Sequence, residues 1–264
     1  MNDQVVGDPQ TPAPEVKGEV VGPTRKQKAI KEIKSITLII SVVMVFRSVF
    51  FEPFRIPSGS MIPTLMIGDF ILVNKFAYGF KLPFSDFSLG SINWSPIYIF
   101  KRDAPKRGDV IVFKYPKDPA VNYIKRVVGL PGDSIKISNK VVYINNKKIE
   151  TKEIPGKEIM SDMDDKFRSY NLKFYETKTG EHTHVIQQDS DNYYKVDFNE
   201  RIIPKDKFFV MGDNRDFSYD SRFWGFVPSE NIKGRALFVW FSMILPFSEH
   251  AFKFRPWRIG TGIN

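Results

Sequence analysis

A basic segment followed directly by an apolar stretch constrains this chain more than any other feature. Five cations lie between Arg25 and Lys34, and the residues from Ile36 to Phe51 are mostly apolar, with Arg47 near the far end. As a helix this stretch would be about 24 Å long, somewhat less than the roughly 30 Å of a hydrocarbon core. A buried core helix is the alternative, but it would have no reason to carry the flanking cations. Since no small-x-small cleavage site follows closely, the pattern predicts an uncleaved membrane anchor.

The same charges predict how the anchor is oriented. Lysine and arginine concentrate on the cytoplasmic side of a membrane helix. We therefore expect residues 1–24, which contain four prolines and no hydrophobic periodicity, to form a disordered cytoplasmic tail. Residues 25–52 are predicted to form the basic flank and the single transmembrane helix, and residues 53–264 a domain on the opposite side.

Composition limits the possible partners less sharply. The formal net charge is +9 and the chain has 24 Phe, 10 Tyr and 4 Trp, which suits nucleic acid and an anionic membrane surface equally well. The chain has no cysteine, which excludes disulfides and thiolate metal sites.

After the anchor, short apolar runs alternate with turn residues. A hairpin is predicted within Lys140–Ile149, turning at Asn145 and Asn146. The other predicted strands begin near Phe70, Asp109, Val121, Phe208 and Ala236. This pattern predicts a mostly β fold with an antiparallel sheet. The stretch at about 135–205 is more polar, and we expect it to form an inserted smaller β subdomain.

Two prolines, Pro57 and Pro63, flank the turn Ser58-Gly59-Ser60 just beyond the anchor. A nucleophile must be exposed on a stiff backbone with hydrogen-bond donors beside it, and the glycine permits unusual backbone angles. Serine-rich turns also occur in ordinary loops, so this turn is a candidate only.

A base for such a serine is more easily found among the lysines than among the histidines. None of the three histidines lies in a recognisable motif; they are His182, His184 and His250. Lysine can serve when burial depresses its pKa. In the strand at 121–128, alternation places Lys125 on one face with Val121, Tyr123 and Val127, whereas the neighbouring arginine stays protonated. The alternative is that the lysine extends to water.

The segment Gly212–Gly225 is dense in Asp, Asn, Arg and Ser between apolar strands. This density indicates a buried polar network, with a solvated loop as the alternative.

Taken together, the three segments resemble the bacterial type I signal peptidases. Ile56–Leu65 is similar to the family's nucleophile motif, Lys106–Phe113 with Tyr123–Asp133 to its strand and lysine motifs, and Gly212–Pro228 to its last motif. The resemblance runs from about residue 47 to 240, interrupted within 135–205.

The resemblance implies a role for each matching residue. Ser60 would be the nucleophile and Lys125 the general base. The Ser58 hydroxyl and the Ser60 backbone N–H would form the oxyanion hole, and Ser218 would hydrogen-bond the lysine amine.

It further implies that Asp220, paired with Arg222, holds this arrangement in place. Apolar side chains would line shallow pockets for the small residues before the cleavage point: Phe54, Ile56, Met61, Leu65, Val112, Tyr123 and Ile124. The implied function is a membrane-bound serine endopeptidase that removes signal peptides from exported preproteins. Its expected location is the bacterial inner (plasma) membrane, with a cytoplasmic N-terminus and a periplasmic catalytic domain near the secretion translocon.

The expected partners are signal peptides and membrane lipid; we expect no cofactor, no metal and no nucleic acid. The aromatic segments 76–100 and 247–257 are predicted to insert partly into the outer leaflet. Two alternatives remain. A self-cleaving repressor would lack the anchor and carry DNA-binding helices, and a non-catalytic membrane-anchored binding or assembly factor would not need Ser60 or Lys125.

Overall fold

The computed structural model describes residues 24–82, 85, 88–89, 92–93, 97–101, 103–163, 167, 169–192, 196–245 and 251–263. The chain divides into two compact units, Met1–Val43 and Met44–Asn264. Most of the predicted tail, residues 1–23, lies outside the described residues.

The basic flank and the apolar stretch form one continuous helix, α1 (Arg25–Val49). Its large apolar side chains from Ile36 to Phe46 are 46–65% exposed. Among the described residues, no helix is both long and apolar enough to cross a membrane.

The rest of the described chain is mostly β-strand, as predicted. In chain order the strands are β1 (Phe51–Arg55), β2 (Asp69–Asn74), β3 (Gly79–Lys81), β4 (Ser88–Leu89), β5 (Ile92–Asn93), β6 (Tyr98–Lys101), β7 (Val110–Tyr115), β8 (Asp118–Gly129), β9 (Ser134–Ser138), β10 (Val141–Ile144), β11 (Lys147–Lys148), β12 (Thr151–Ile154), β13 (Leu172–Thr179), β14 (His182–Asp189), β15 (Phe198–Ile202), β16 (Lys207–Met211), β17 (Val227–Pro228), β18 (Ile232–Ile244) and β19 (Lys253–Phe254). The further elements given by the described residues are two short helices, α2 (Lys157–Asp162) and α3 (Ser221–Trp224), and 3₁₀ turns at Lys75–Tyr78, Arg215–Phe217, Ser229–Asn231 and Pro256–Arg258.

An eight-stranded antiparallel sheet carries the candidate site. Its order is β1-β2-β18-β7-β8-β16-β17, and β19 pairs with β18. Apart from the hairpin, the strands predicted from the apolar runs belong to it, as β2, β7, β8, β16 and β18. In β2, buried and half-buried side chains alternate, because successive side chains of a strand point to opposite faces of the sheet. The register of β7 and β8 places Ile111 opposite Lys125.

Asn145 and Asn146 form the predicted hairpin turn between β10 and β11. Both adopt positive φ, 51° and 63°, a conformation that asparagine tolerates better than most residues. The prediction for this hairpin is confirmed.

Strands from the predicted insertion form separate sheets. One has the order β11-β10-β9-β15 and the other β12-β13-β14. The first packs on the main sheet, since Ile135 and Ile137 share a buried cluster with Val128 and Phe209. Met44–Asn264 forms one compact unit, and the inserted smaller β subdomain at about 135–205 stays a prediction.

Candidate active site

The loop between β1 and β2 carries the candidate nucleophile. Backbone hydrogen bonds close its base: Ile56 N–H donates to the Asp69 carbonyl at 2.8 Å, and Gly68 N–H donates to the Ile56 carbonyl at 3.0 Å. Met61, directly after Ser60, is fully buried in the apolar cluster beneath the loop. The loop is therefore anchored at its base and at its centre, while Ser60 itself remains half-buried.

Gly59 is required by close packing and not by its backbone angles. It is not among the glycines with positive φ, so this turn does not use the left-handed backbone angles that glycine permits. A Cβ at this position would lie 2.6 Å from Cζ of Phe167 and 2.9 Å from Cδ1 of Ile62. An aromatic ring thus lies directly against the turn, which leaves no space for a side chain.

Lys125 meets Ser60 within hydrogen-bonding distance. Lys125 Nζ lies 2.8 Å from Ser60 Oγ and donates to the carbonyl of Ile124 at 2.9 Å. The lysine side chain lies inside the protein and does not extend to water, since the residue is only 4% exposed. Burial lowers its pKa from 10.5 to about 8, although Asp220 and Asp213 oppose that shift. A lysine with this pKa is substantially neutral in mildly alkaline solution.

The apolar surroundings predicted for Lys125 are confirmed in part. Val127 is fully buried, and Tyr123 packs against the same cluster. Lys125 Nζ is 5.4 Å from the centroid of the Tyr123 ring. Val121 is 43% exposed, because the first residues of β8 are mostly solvent-accessible. Its predicted contribution to desolvation is therefore wrong.

A buried ion pair lies close to the lysine. Arg222 donates from Nε and Nη2 to the two carboxylate oxygens of Asp220, both at 2.8 Å, and Gly212 N–H donates to Asp220 at 3.0 Å. Burial alone would raise the pKa of Asp220, but Arg222 outweighs it and lowers that pKa. The carboxylate therefore stays ionised, and its charge favours the ammonium form of Lys125, which Arg222 partly offsets.

Ser218 does not make the predicted hydrogen bond to the Lys125 amine. Its hydroxyl helps to lower the pKa of Asp220, yet within the described part of the chain the buried oxygen reaches hydrogen-bond geometry with no partner. A role for Ser218 beside the amine stays a prediction. Ser218 nevertheless lies near Ser60, because Gly212 contacts both residues. A Cβ added to Gly212 would lie 2.3 Å from Ser218 Oγ and 2.3 Å from the Ser60 carbonyl oxygen.

A second buried ion pair was not singled out from the sequence. Arg126 donates from Nε and Nη2 to Asp213 at 2.8 and 2.7 Å, and the Thr64 hydroxyl donates to Asp213 at 2.5 Å. Burial would raise the pKa of Asp213, but Arg126 holds it at about 2. This pair joins the strand that carries Lys125 to the nucleophile loop.

Asn214 holds the backbone of the serine turn. Its Nδ2 donates to the Gly59 carbonyl at 2.9 Å, its N–H donates to the Ser60 carbonyl at 3.2 Å, and its Oδ1 accepts from Gln187 at 2.9 Å. The buried polar network predicted for Gly212–Gly225 is confirmed. Asn214 was not singled out from the sequence as a site residue, and its position within this polar segment was the signal that could have identified it.

The residues predicted to line the substrate pockets fall into two groups. Four are no more than 2% exposed and belong to the core: Ile56, Met61, Leu65 and Val112. These four side chains pack together in one buried apolar cluster. They therefore support the site and expose little surface to a substrate. Phe54 and Ile124 cover the same cluster and remain partly exposed, whereas Tyr123 packs in a different cluster. Ser58 is exposed at the turn.

His182 and His184 lie beside other carboxylates, away from the Ser60–Lys125 contact. His184 Nε2 is 3.8 Å from Asp213, and burial lowers the pKa of His184 to about 4 despite that carboxylate. His182 Nε2 is 3.8 Å from Asp109, and His250 is not among the described residues. In the described ranges, no three His, Asp or Glu side chains are grouped so that they could hold a metal ion.

Both predicted aromatic segments lie partly outside the described residues, which omit 83–84, 86–87, 90–91, 94–96 and 246–250. Within the described residues of these segments, several large apolar side chains are at least 45% exposed: Leu82, Ile97, Ile99, Phe100, Phe252, Phe254 and Trp257.

Comparison with known proteins decides the family. The family model described as "Signal peptidase, peptidase S26" matches residues 29–241. The chain belongs to the S26 family of signal peptidases. "Signal peptidase I" of Pseudomonas aeruginosa is 42% identical over 223 residues, covering 79% of this chain and 71% of that protein. "Signal peptidase I" of Rickettsia typhi is 37% identical over 253 residues, covering 89% and 91%.

A solved signal peptidase I from Enterococcus faecalis V583 is 24% identical, with a TM-score of 0.34, and covers 50% of this chain and 97% of that one. The predicted family, and with it the prediction of a peptidase, is confirmed by the family model and the relatives.

Proposed function

We propose that this protein cleaves N-terminal signal peptides from exported preproteins, with Ser60 as nucleophile and Lys125 as general base. The observation that carries the proposal is the 2.8 Å separation of Ser60 Oγ and the amine of a buried lysine. A serine and a base within about 2.6–3.2 Å have the geometry that nucleophilic catalysis needs.

The reaction follows from that geometry. Neutral Lys125 accepts the Ser60 hydroxyl proton while Oγ attacks the carbonyl carbon of the scissile bond. The resulting ammonium then protonates the leaving amine, and the signal peptide remains as an ester on Ser60. A water molecule, deprotonated by Lys125, attacks the ester and restores the serine hydroxyl. We assign the oxyanion hole to the exposed Ser58 hydroxyl and the Ser60 backbone N–H.

We propose that Asp220 and Arg222 position Lys125 indirectly, by fixing the turn that carries Ser218. Their ion pair is buried and bidentate, so it holds the turn around Ser218 rigidly. Ser218 is buried without a hydrogen-bond partner among the described residues, and a hydroxyl rotates freely to suit a new contact. We propose that it turns toward the amine when substrate is bound.

For the substrate side, we propose that Phe54 and Ile124 contact the small residues before the cleavage point. The core residues Ile56, Met61, Leu65 and Val112 set the depth of those pockets. Tyr123 is proposed to meet the substrate beside the base, since its ring centroid lies 5.4 Å from Lys125 Nζ. Shallow apolar pockets accept small side chains and exclude large ones.

We also propose that α1 holds the protein at the bacterial inner membrane with its N-terminus in the cytoplasm and the catalytic residues outside. The support is the exposed apolar surface from Ile36 to Phe46, preceded by five cations. The exposed aromatic side chains near residues 97–100 and 252–257 would contact the outer leaflet, close to the translocon that delivers preproteins. Carbonate extraction should leave the full chain in the membrane fraction and release a variant that lacks residues 25–49. Release of the full chain would contradict this anchor.

Cleavage of a purified preprotein in detergent tests the proposed reaction. Wild type should release a signal peptide, and Ser60→Ala should release none. Ser138→Ala removes a half-buried serine at the end of β9 and is the matched control, expected to cleave like wild type. Cleavage by Ser60→Ala above about a tenth of the wild-type rate would show that Ser60 is not the nucleophile. Absence of cleavage by the folded wild type would favour the alternative of a non-catalytic binding or assembly factor.

A further inference from the structure

The C-terminal segment, residues 251–263, lies against the nucleophile loop. It begins beyond residue 241, where the match to the family model ends. After β18 the chain returns beside that strand, with Arg255 N–H donating to the Ser242 carbonyl at 3.1 Å and Gly260 N–H to the Val239 carbonyl at 2.8 Å. Two arginines in this segment point toward the loop.

Arg258 connects the base of the loop to its centre. Its Nε and Nη2 donate to the Asp69 carboxylate, at distances down to 2.6 Å, and Nη2 also donates to the Thr64 carbonyl at 3.0 Å. Asp69 also accepts from Met66 N–H at 2.8 Å and from the Ser242 hydroxyl at 2.7 Å. One buried carboxylate therefore joins the arginine, the loop and β18.

Arg255 makes a second connection, and its side chain is 1% exposed. Its Nη1 donates to the Ile67 carbonyl at 3.0 Å, and its Nε donates to Asp162, at the end of α2, at 2.7 Å. Together the two arginines satisfy two loop carbonyl groups, those of Thr64 and Ile67.

The other side of the nucleophile loop is held by an ion pair between β8 and the segment that follows β16. Thr64 donates through its hydroxyl to Asp213, and Asp213 pairs with Arg126, the neighbour of Lys125 in β8. Thr64 is therefore fixed on one side by the ion pair next to the base and on the other by Arg258. Ser60 lies four residues before this doubly held position.

We propose that Arg258 and Arg255 are positioning residues, which hold the nucleophile loop so that Ser60 stays within reach of Lys125. The inference rests on the proposed function of that pair. A planar guanidinium can donate hydrogen bonds to a carboxylate and to a carbonyl group at the same time. The ammonium of a lysine lacks this fixed planar arrangement of donors. Loosening the loop displaces the nucleophile and leaves the base in place, so it lowers kcat without altering the protonation of Lys125.

The test compares Arg258→Gln, Arg258→Lys and Arg255→Gln with the matched control Arg107→Gln. Arg107 likewise bonds one carboxylate, Asp133 at 2.8 Å, and one backbone carbonyl, that of Val128 at 2.7 Å, but it does not contact the loop. For each full-length variant we would measure kcat and KM over a range of pH, and hydrogen–deuterium exchange of the peptide spanning residues 58–67.

We expect Arg258→Gln to lower kcat by about 10–100-fold, the cost of a misplaced reacting group, with little change in KM or in the pH at which activity rises. Exchange in residues 58–67 should become faster. Arg255→Gln should act in the same direction, Arg258→Lys should fall between Arg258→Gln and wild type, and Arg107→Gln should match wild type in both measurements.

The proposal is overturned if exchange in the loop is unchanged, if exchange rises while kcat stays at the wild-type value, or if Arg107→Gln loses as much activity. Should Arg258→Gln fail to fold, Arg258→Lys and Arg255→Gln carry the same comparison. Hydrogen–deuterium exchange does not depend on catalysis. An active Ser60→Ala variant would therefore refute the proposed role of Ser60, while exchange in residues 58–67 would still decide whether the two arginines hold the loop.

Discussion

The pH dependence of cleavage follows directly from the environment of Lys125. Burial lowers its pKa to about 8 from 10.5, a difference equivalent to roughly 3 kcal/mol in favour of the neutral amine. The folded pKa is depressed, so the neutral form that acts as base is lost as the pH falls through about 8. Activity should therefore rise from neutral to alkaline pH and then level off.

The expected change can be calculated from the neutral fraction. With a pKa of about 8, about 9% of the lysine is neutral at pH 7 and about 90% at pH 9, a rise of about tenfold. An unshifted lysine would give a rise of about 100-fold over the same range, with no plateau. The assay is kcat/KM on one peptide substrate from pH 6 to 10.

A perturbation of the neighbouring carboxylate tests the cause. Asp220 raises the pKa of Lys125, so Asp220→Asn should move the rise in activity to lower pH, whatever it does to the maximum. Lys125→Arg should be inactive throughout, because a guanidinium keeps its proton. A rate still climbing steeply at pH 10, or a rise centred between pH 6 and 7, would refute the reasoning.

Two further substitutions probe the serine turn. Ser58→Ala should lower kcat by roughly 10²–10³ through loss of an oxyanion donor; a change in KM alone would show that Ser58 has another role. Gly59→Ala should lower stability by about 1–3 kcal/mol through overpacking against Phe167, and Phe167→Ala should recover part of the loss in thermal melts. Additive losses in the Gly59→Ala/Phe167→Ala double variant would contradict the steric explanation.

The main strands were predictable because local pattern determines them, whereas Ser60 and Lys125 were assigned from the resemblance to the signal peptidases, since the turn and the strand by themselves left ordinary alternatives open. The β8 sequence places Lys125 among apolar residues, and turn residues mark the hairpin at Asn145 and Asn146. Neither the role of Asn214 nor the contact of Phe167 with Gly59 could be read from spacing, since each joins segments more than 100 residues apart. The same limit applies to the substrate pockets. The resemblance implies which apolar residues line them, and only packing shows that Ile56, Met61, Leu65 and Val112 lie in the core.

A double-mutant cycle on Ser60 and Lys125 tests the central claim most directly. The measurement is kcat for cleavage of one preprotein by Ser60→Ala, Lys125→Met and the double variant, with melting curves to show that each is folded. If the two side chains act as one proton-transfer unit, removing the second costs almost nothing once the first is gone. We predict that all three variants fall to the same residual rate. A double variant that loses the product of the two single effects, or a Lys125→Met variant close to wild type, would contradict the assignment of this lysine as the base.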